Sequence, residues 1–288
     1  MRGVSFLSLG AARHIGTFLG RVSWLMSSRM AATTRTNLAI CYPEITKSKR
    51  LLLGKSSLIN TFQTLAECGP VWLWPAQDVL DHVLEVENLA LLQAAQAEKK
   101  GTVVIAPHLG NWEVFGLYLN QCGCGQSSQL YQAPREASLD RLIFKARSRS
   151  GARMVATDNK GVIRLLKALK SGEIVGILPD QVPNVDSSGD YASFFGKPVL
   201  TMSLVSRLIQ KTGARAVLGF AARVTIGGRH GWKIIFQEPP RGIYAEHIPE
   251  SLSALNRAIE HAIRGYPEQY QWEYKRFRRV PPGNQRPY

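Results

Sequence analysis

Three things are scarce in this 288-residue chain: cysteine, acid and long apolar runs. Four cysteines (Cys41, Cys68, Cys122 and Cys124) are too few to staple a fold of this length, which argues against a disulfide scaffold and fits a reducing, cytoplasmic setting. Cys122 and Cys124 have the spacing of half a soft-metal site, but no second ligand pair answers them, and helix-end cysteines are the plainer reading. Acid is outnumbered, 21 Asp+Glu against 36 Lys+Arg, for a net charge of +15. That balance implies an anionic partner: nucleic acid, an anionic membrane or an acidic protein. No stretch reaches the roughly 18 uninterrupted apolar residues of a membrane-spanning helix. What is abundant is ordinary globular material, 45% hydrophobic and 20% charged, which excludes intrinsic disorder. No internal repeat or low-complexity segment interrupts it.

The basic excess is uneven. Residues 1–60 hold nine Lys/Arg against one acid, Glu44, and Lys275-Arg-Phe-Arg-Arg279 forms a second cluster near the end. Within the first segment Val4, Leu7, Ala11, Ile15, Phe18, Val22 and Leu25 recur at steps of three and four, with Leu19 and Met26 beside them. Arg2, Arg13 and Arg21 fall on other faces. An apolar stripe with basic flanks suits a helix lying in the headgroup region of an anionic leaflet. A secretory signal needs an apolar core that Arg13, His14 and Arg21 interrupt; a plain packing helix is the other reading. The chain therefore divides into an amphipathic membrane-surface helix, residues 1–30, and an α/β domain, residues 31–288.

Residues 31–75 read as helical, punctuated by Pro43 and Gly69-Pro70. Short strands and helices then alternate: strands at 83–86, 102–107, 129–132, 153–156 and 174–178, helices at 89–98, 111–122, 139–150 and 161–169. This predicts a mostly parallel sheet flanked by helices. Residues 180–198 read as a long loop, residues 199–210 and 249–264 as helices, and 216–224 and 232–236 as late strands, antiparallel across Gly227-Gly228.

The chemistry concentrates in Pro107-His-Leu-Gly-Asn-Trp-Glu113. His108 stands at the carboxyl end of a buried strand, where open α/β sheets place ligands, and Glu113 falls in the first turn of the next helix. A neutral imidazole beside a carboxylate takes a proton from an alcohol near neutral pH; a core histidine capped by a local acid is the competing reading. No Gly-x-Ser-x-Gly elbow is present, which disfavours an acyl-serine intermediate. The motif also lacks the i,i+4 pair of histidines of a zinc protease helix.

Three further blocks accompany the histidine: Leu130-Tyr-Gln-Ala-Pro134 with Leu139-Asp140 and Arg147-Ser-Arg-Ser-Gly151; Ile177-Leu-Pro-Asp-Gln181 with Phe194-Phe-Gly-Lys-Pro198 and Thr201; and Pro267-Glu-Gln-Tyr-Gln-Trp272 with Arg276-Phe-Arg278. In this order the four blocks resemble the late lipid A acyltransferases of Gram-negative bacteria, lauroyl/myristoyl type, within the lysophospholipid acyltransferase superfamily and its H-x-x-x-x-D/E motif. The resemblance implies that His108 is the general base, oriented by Glu113. The reaction it implies moves an acyl chain from acyl-acyl carrier protein, or acyl-CoA, to a hydroxyl of a lipid A precursor, with no metal or cofactor. It implies substrate-binding roles for Asn111, Arg147, Arg149, Asp180 and Gln181, and an acyl channel lined by Trp112, Phe194 and Phe195. Backbone N–H groups around Gly110-Asn111, or an arginine, are the candidates for holding the oxyanion. It also implies a peripheral enzyme on the cytoplasmic face of the inner membrane, with no nucleic-acid partner. Many members carry Tyr-Arg-Pro in the second block; here Gln132-Ala133 stands before Pro134, with Arg135 as a possible substitute for the missing arginine. That departure keeps a second acceptor class open: another membrane lipid, whether a glycerophospholipid, an aminolipid or a glycolipid. A basic binding protein on a degenerate version of the fold, and a hydrolase passing the acyl group to water, are the remaining alternatives.

Overall fold

The computed structural model describes residues 7–134, 136–183 and 188–288. Three helices come first, each capped by a hydroxyl: α1 (Leu9–Leu25) by Ser8, α2 (Arg29–Cys41) by Ser28 and α3 (Lys47–Leu73) by Thr46. α1 lies against α3 at backbone contact. A Cβ on Gly16 would stand 2.5 Å from Cα of Gln63, and one on Gly20 2.6 Å from Cα of Ile59. Only glycine, spaced by four, lets the two axes come that close. Leu9, Ala12, Gly16 and Gly20 form the buried face of α1. The opposite face shows Phe18 (66% exposed), Leu25 (78%) and Met26 (76%), and Leu52 (67%) of α3 is exposed as well. The apolar stripe read from the sequence therefore points outward, and its first member, Val4, lies outside the described residues. Among the described residues no helix is long and apolar enough to cross a membrane.

Then follow α4 (Ala76–Leu80), β1 (Val83–Glu87), α5 (Leu89–Ala97), β2 (Thr102–Ile105), α6 (Trp112–Gln121), β3 (Ser127–Tyr131), α7 (Ala137–Ser148), β4 (Arg153–Ala156), α8 (Asn159–Lys170) and β5 (Ile174–Ile177). A hairpin, β6 (Gly189–Phe194) and β7 (Lys197–Met202), leads to α9 (Leu204–Thr212), the long pair β8 (Arg215–Ile226) and β9 (Arg229–Gln237), and α10 (Ile248–Gly265). The main sheet has the order β1-β9-β8-β2-β5-β3-β4. β8, β2, β5, β3 and β4 are parallel; β9 turns back antiparallel on β8 and β1 follows β9. The expected helix-flanked, mostly parallel sheet is present. β2 and β5 are buried at every position, as strands covered on both faces must be. One core joins the sheet to α8, α9 and α10, the other to α5 and α6.

Two expectations need correction. The stretch 180–198 is not a plain loop: β6 occupies its second half and pairs with β7 around Phe195-Gly196, both at positive φ (48° and 72°). Residues 199–202 are strand rather than helix. Asn256 of α10 donates to Ser193 O and Thr201 Oγ1, tying both strands of the hairpin to a helix remote in sequence. Arg135, named as a substitute for the missing arginine, lies outside the described residues, as do residues 184–187 of the expected loop.

Candidate active site

Register builds the centre of the site. Ile105 of β2 pairs with Ile177 of β5, and His108 and Asp180 each lie three residues beyond. Equal offsets past neighbouring parallel strands bring the two side chains together: His108 Nδ1 lies 2.8 Å from Asp180 Oδ1, and the His108 backbone N–H donates to Asp180 Oδ2 at 2.9 Å. Asp180 is 2% exposed. Burial alone would raise its carboxyl, but the charge and hydrogen bonds of His108 outweigh that and hold it below the usual range. An ionised Asp180 accepts the Nδ1 proton, which leaves Nε2 as the free lone pair. Gln181 Nε2 stands 3.3 Å from that atom and donates to Gln271 Oε1 at 3.0 Å.

This corrects the pairing read from the sequence. Glu113 is buried on the first turn of α6, but its carboxylate meets Arg147, at 2.9 Å from Nε and 2.5 Å from Nη2. Burial opposes its charge; the guanidinium overcomes that and keeps the carboxyl below its ordinary value. Arg147 in turn lies over the Tyr131 ring, whose hydroxyl donates to Asp140. The carboxylate that contacts His108 Nδ1 is that of Asp180, brought there across 72 residues by the register of β2 and β5.

The turn after His108 is held from three sides. Gly110 has φ +65°, and a Cβ there would sit 2.0 Å from Ala221 O. Its N–H donates to Gln269 O and that of Asn111 to Ala221 O, so neither is available to an oxyanion. Asn111 is fully buried: its Oδ1 caps α6 at Val114 N and its Nδ2 donates to Glu67. A substrate-binding role for Asn111 is therefore not supported. Glu67, also fully buried, accepts from Arg13 Nε (2.6 Å), Arg223 Nε (2.8 Å) and Asn111 Nδ2 (2.8 Å). Its carboxyl falls to about 2, burial being overcome by the two arginines. Sequence reasoning missed this hub, although an arginine off the α1 stripe and a lone acid in an apolar stretch of α3 were visible.

Arg149 is also reassigned. Its guanidinium donates to Val71 O (2.6 Å) and Trp72 O (2.9 Å), closing the carboxyl end of α3 rather than meeting a phosphate. Phe194 and Phe195 pack with Tyr42, Tyr270 and Trp272 inside the core. Trp112 lines a pocket. Its ring stands edge-on 5.0 Å from that of His108. The pocket runs beneath α6 and is walled by Phe115, Leu119, Ala106 and Leu178, with Glu113 and Arg147 also on its lining. Within the C-terminal basic cluster, Arg276 is buried and bonded to Leu200 O and Thr201, while Lys275, Arg278 and Arg279 remain on the surface.

A histidine with an ionised partner, an Nε2 met by the Gln181 amide and a largely apolar pocket alongside is an arrangement suited to moving an acyl group. A family model described as bacterial lipid A biosynthesis acyltransferase matches residues 1–279. A lipid A biosynthesis lauroyltransferase of Escherichia coli (strain K12) is 26% identical over 274 residues, covering 94% of this chain and 86% of that one. A palmitoleoyltransferase and a myristoyltransferase of lipid A biosynthesis from the same organism are 25% and 23% identical, covering 93% and 96% of this chain and 85% and 82% of their own lengths. The protein is an acyltransferase. It belongs to the bacterial lipid A biosynthesis acyltransferase family.

Proposed function

We propose that this enzyme transfers a fatty acyl chain from an acyl-acyl carrier protein or acyl-CoA thioester to a hydroxyl of a lipid A precursor, with His108 as general base and Asp180 as its positioning partner. The observation that carries the reading is the His108–Asp180 contact at 2.8 Å beside an apolar pocket. His108 Nε2 removes the hydroxyl proton as the oxygen attacks the thioester carbonyl, and Asp180 stabilises the imidazolium that forms. Collapse of the tetrahedral intermediate breaks the C–S bond, and the leaving thiolate takes the proton back from Nε2. The acyl chain lies in the pocket under α6. The first N–H groups of α6, at Trp112 and Glu113, have no carbonyl within their helix to bond and supply donors for the oxyanion. Arg147, ion-paired with Glu113, closes one wall of the pocket. Gln181, between Nε2 and Gln271, gives up its place to the acceptor hydroxyl.

The exposed apolar face of α1, together with the basic N-terminal segment, supports a peripheral seat on the anionic cytoplasmic leaflet of the inner membrane. The same positive charge suits an acidic carrier protein and a phosphorylated acceptor.

Mass spectrometry of lipid A from a strain lacking its late acyltransferases tests the proposal. One added acyl mass is expected with the wild type, and none with His108→Ala, whose rate falls by about 10²-fold or more. If membrane-localised wild type adds no mass, the acceptor is another membrane lipid. Gln132, exposed on the loop after β3 where the family resemblance implies an arginine, is the residue to replace with arginine first.

A further inference from the structure

We propose that Gly176 and Gln129 form the floor of the pocket under α6 and thereby set the length of acyl chain the enzyme accepts. This rests on the reading of the pocket as the acyl site. Trp112, whose ring stands edge-on to that of His108, lines the pocket, which follows α6 through Gly116 to Leu119. From Glu113 to Leu119 is six residues of helix, about 9 Å of descent. Opposite, β5 descends from Leu178 to Gly176, about 7 Å of strand. Gln129 of β3 is the register partner of Gly176 and crosses the bottom, its Nε2 donating to Gly116 O at 2.8 Å.

Gly176 has no backbone reason to be glycine. Its φ is not in the left-handed region, and it lies in a buried parallel strand, where glycine weakens the structure. A Cβ there would make only ordinary contacts, 3.7 Å to Gln129 Cγ and 3.7 Å to Leu119 Cδ2. What the missing side chain leaves is room, at the depth where an acyl chain would end. Gln129 closes that room with a polar group. A chain one methylene too long must press against an amide already anchored to α6, and a chain too short leaves the space unfilled. Gly116 serves the same floor differently, since a Cβ there would crowd Gln129 Oε1 at 3.2 Å.

The experiment uses the full chain, a lipid acceptor and a panel of saturated acyl thioesters from short to long, with products measured by mass spectrometry. Gly176→Ala and Gly176→Val should move the preferred chain shorter, and Gln129→Ala longer. Preference between neighbouring lengths should change by roughly 10-fold or more, the range one methylene commands in an apolar pocket. An equal loss at every length, or an unchanged optimum in all three variants, overturns the proposal. Failure of the underlying reading looks different: the wild type transfers none of the panel. Binding of free fatty acids of graded length to wild type and Gly176→Val then decides, and a length preference that does not move overturns the floor assignment too. Gly176→Ala adds one carbon at ordinary contact distance and serves as the folded reference.

Discussion

Asp180 holds the Nδ1 side of His108, which favours the tautomer with its lone pair on Nε2, the atom that removes the acceptor proton in the proposed mechanism. Asp180→Asn keeps the shape but presents an amide that can hold the wrong tautomer. Acyl transfer should fall by about 10³- to 10⁴-fold while the melting temperature stays near wild type, measured by steady-state transfer and by thermal unfolding. Glu113→Gln should behave differently, because its carboxylate neutralises Arg147 and not His108. Its transfer rate should fall together with stability, as loss of one member of a buried pair leaves the other uncompensated. Glu67 gives the clearest pH signature. Its folded value of about 2 lies below the ordinary 4.5, so its contribution is complete above about pH 4.5 and is lost as pH falls toward 2. Urea unfolding between neutral and acid pH should show a decline of about 3 kcal/mol from this group that Glu67→Gln lacks. That variant should itself lose about 3–5 kcal/mol at neutral pH.

At the scale of elements, the helix α1 is locked to α3 by two glycines, and bulk at either position must part them. Gly16→Leu should cost about 1–3 kcal/mol by overpacking and expose the α1–α2 junction near Ser27 to limited proteolysis, with Gly265→Ala, where a Cβ meets nothing, as the neutral control. The alternation of short strands and helices was legible because each strand is bounded by glycine, proline or a cap and each helix carries a period of three to four. Elements decided by remote partners were not. Residues 199–202 carry an apolar run that suits either state, and Asn256, more than 50 positions away, makes it a strand. The site divides the same way. His108 at a strand end was readable, whereas the choice between Glu113 and Asp180 depended on which strand lies beside β2, a property of topology. Arg149 and Asn111 have the residue types of substrate ligands, and only their hydrogen bonds to α3 and α6 show that they hold backbone and caps.

For the whole molecule, the net charge of +15 and the outward apolar face of α1 would both serve the proposed membrane seat. Binding to vesicles should require anionic lipid and weaken with salt, while Phe18→Asp or Leu25→Asp should abolish the residual binding that salt leaves. Sedimentation with vesicles of varied anionic content measures both. The same charge means that a purified sample will adhere to nucleic acid non-specifically at low salt, and that adherence should vanish by moderate ionic strength without affecting transfer.

The equal offsets of His108 and Asp180 from paired strand residues carry a consequence for how this chain tolerates insertion and deletion. Between the two residues the chain makes two helices and two strands on its way to α8 and β5, and its path length there is irrelevant to their meeting. Surplus residues spliced in at the exposed Gln132-Ala133 bend would leave the pair in place. The short spans that join Ile105 to His108 and Ile177 to Asp180 have no such freedom. One residue added to either would carry a side chain past its partner, and only a matching addition to the other would bring the two back into step.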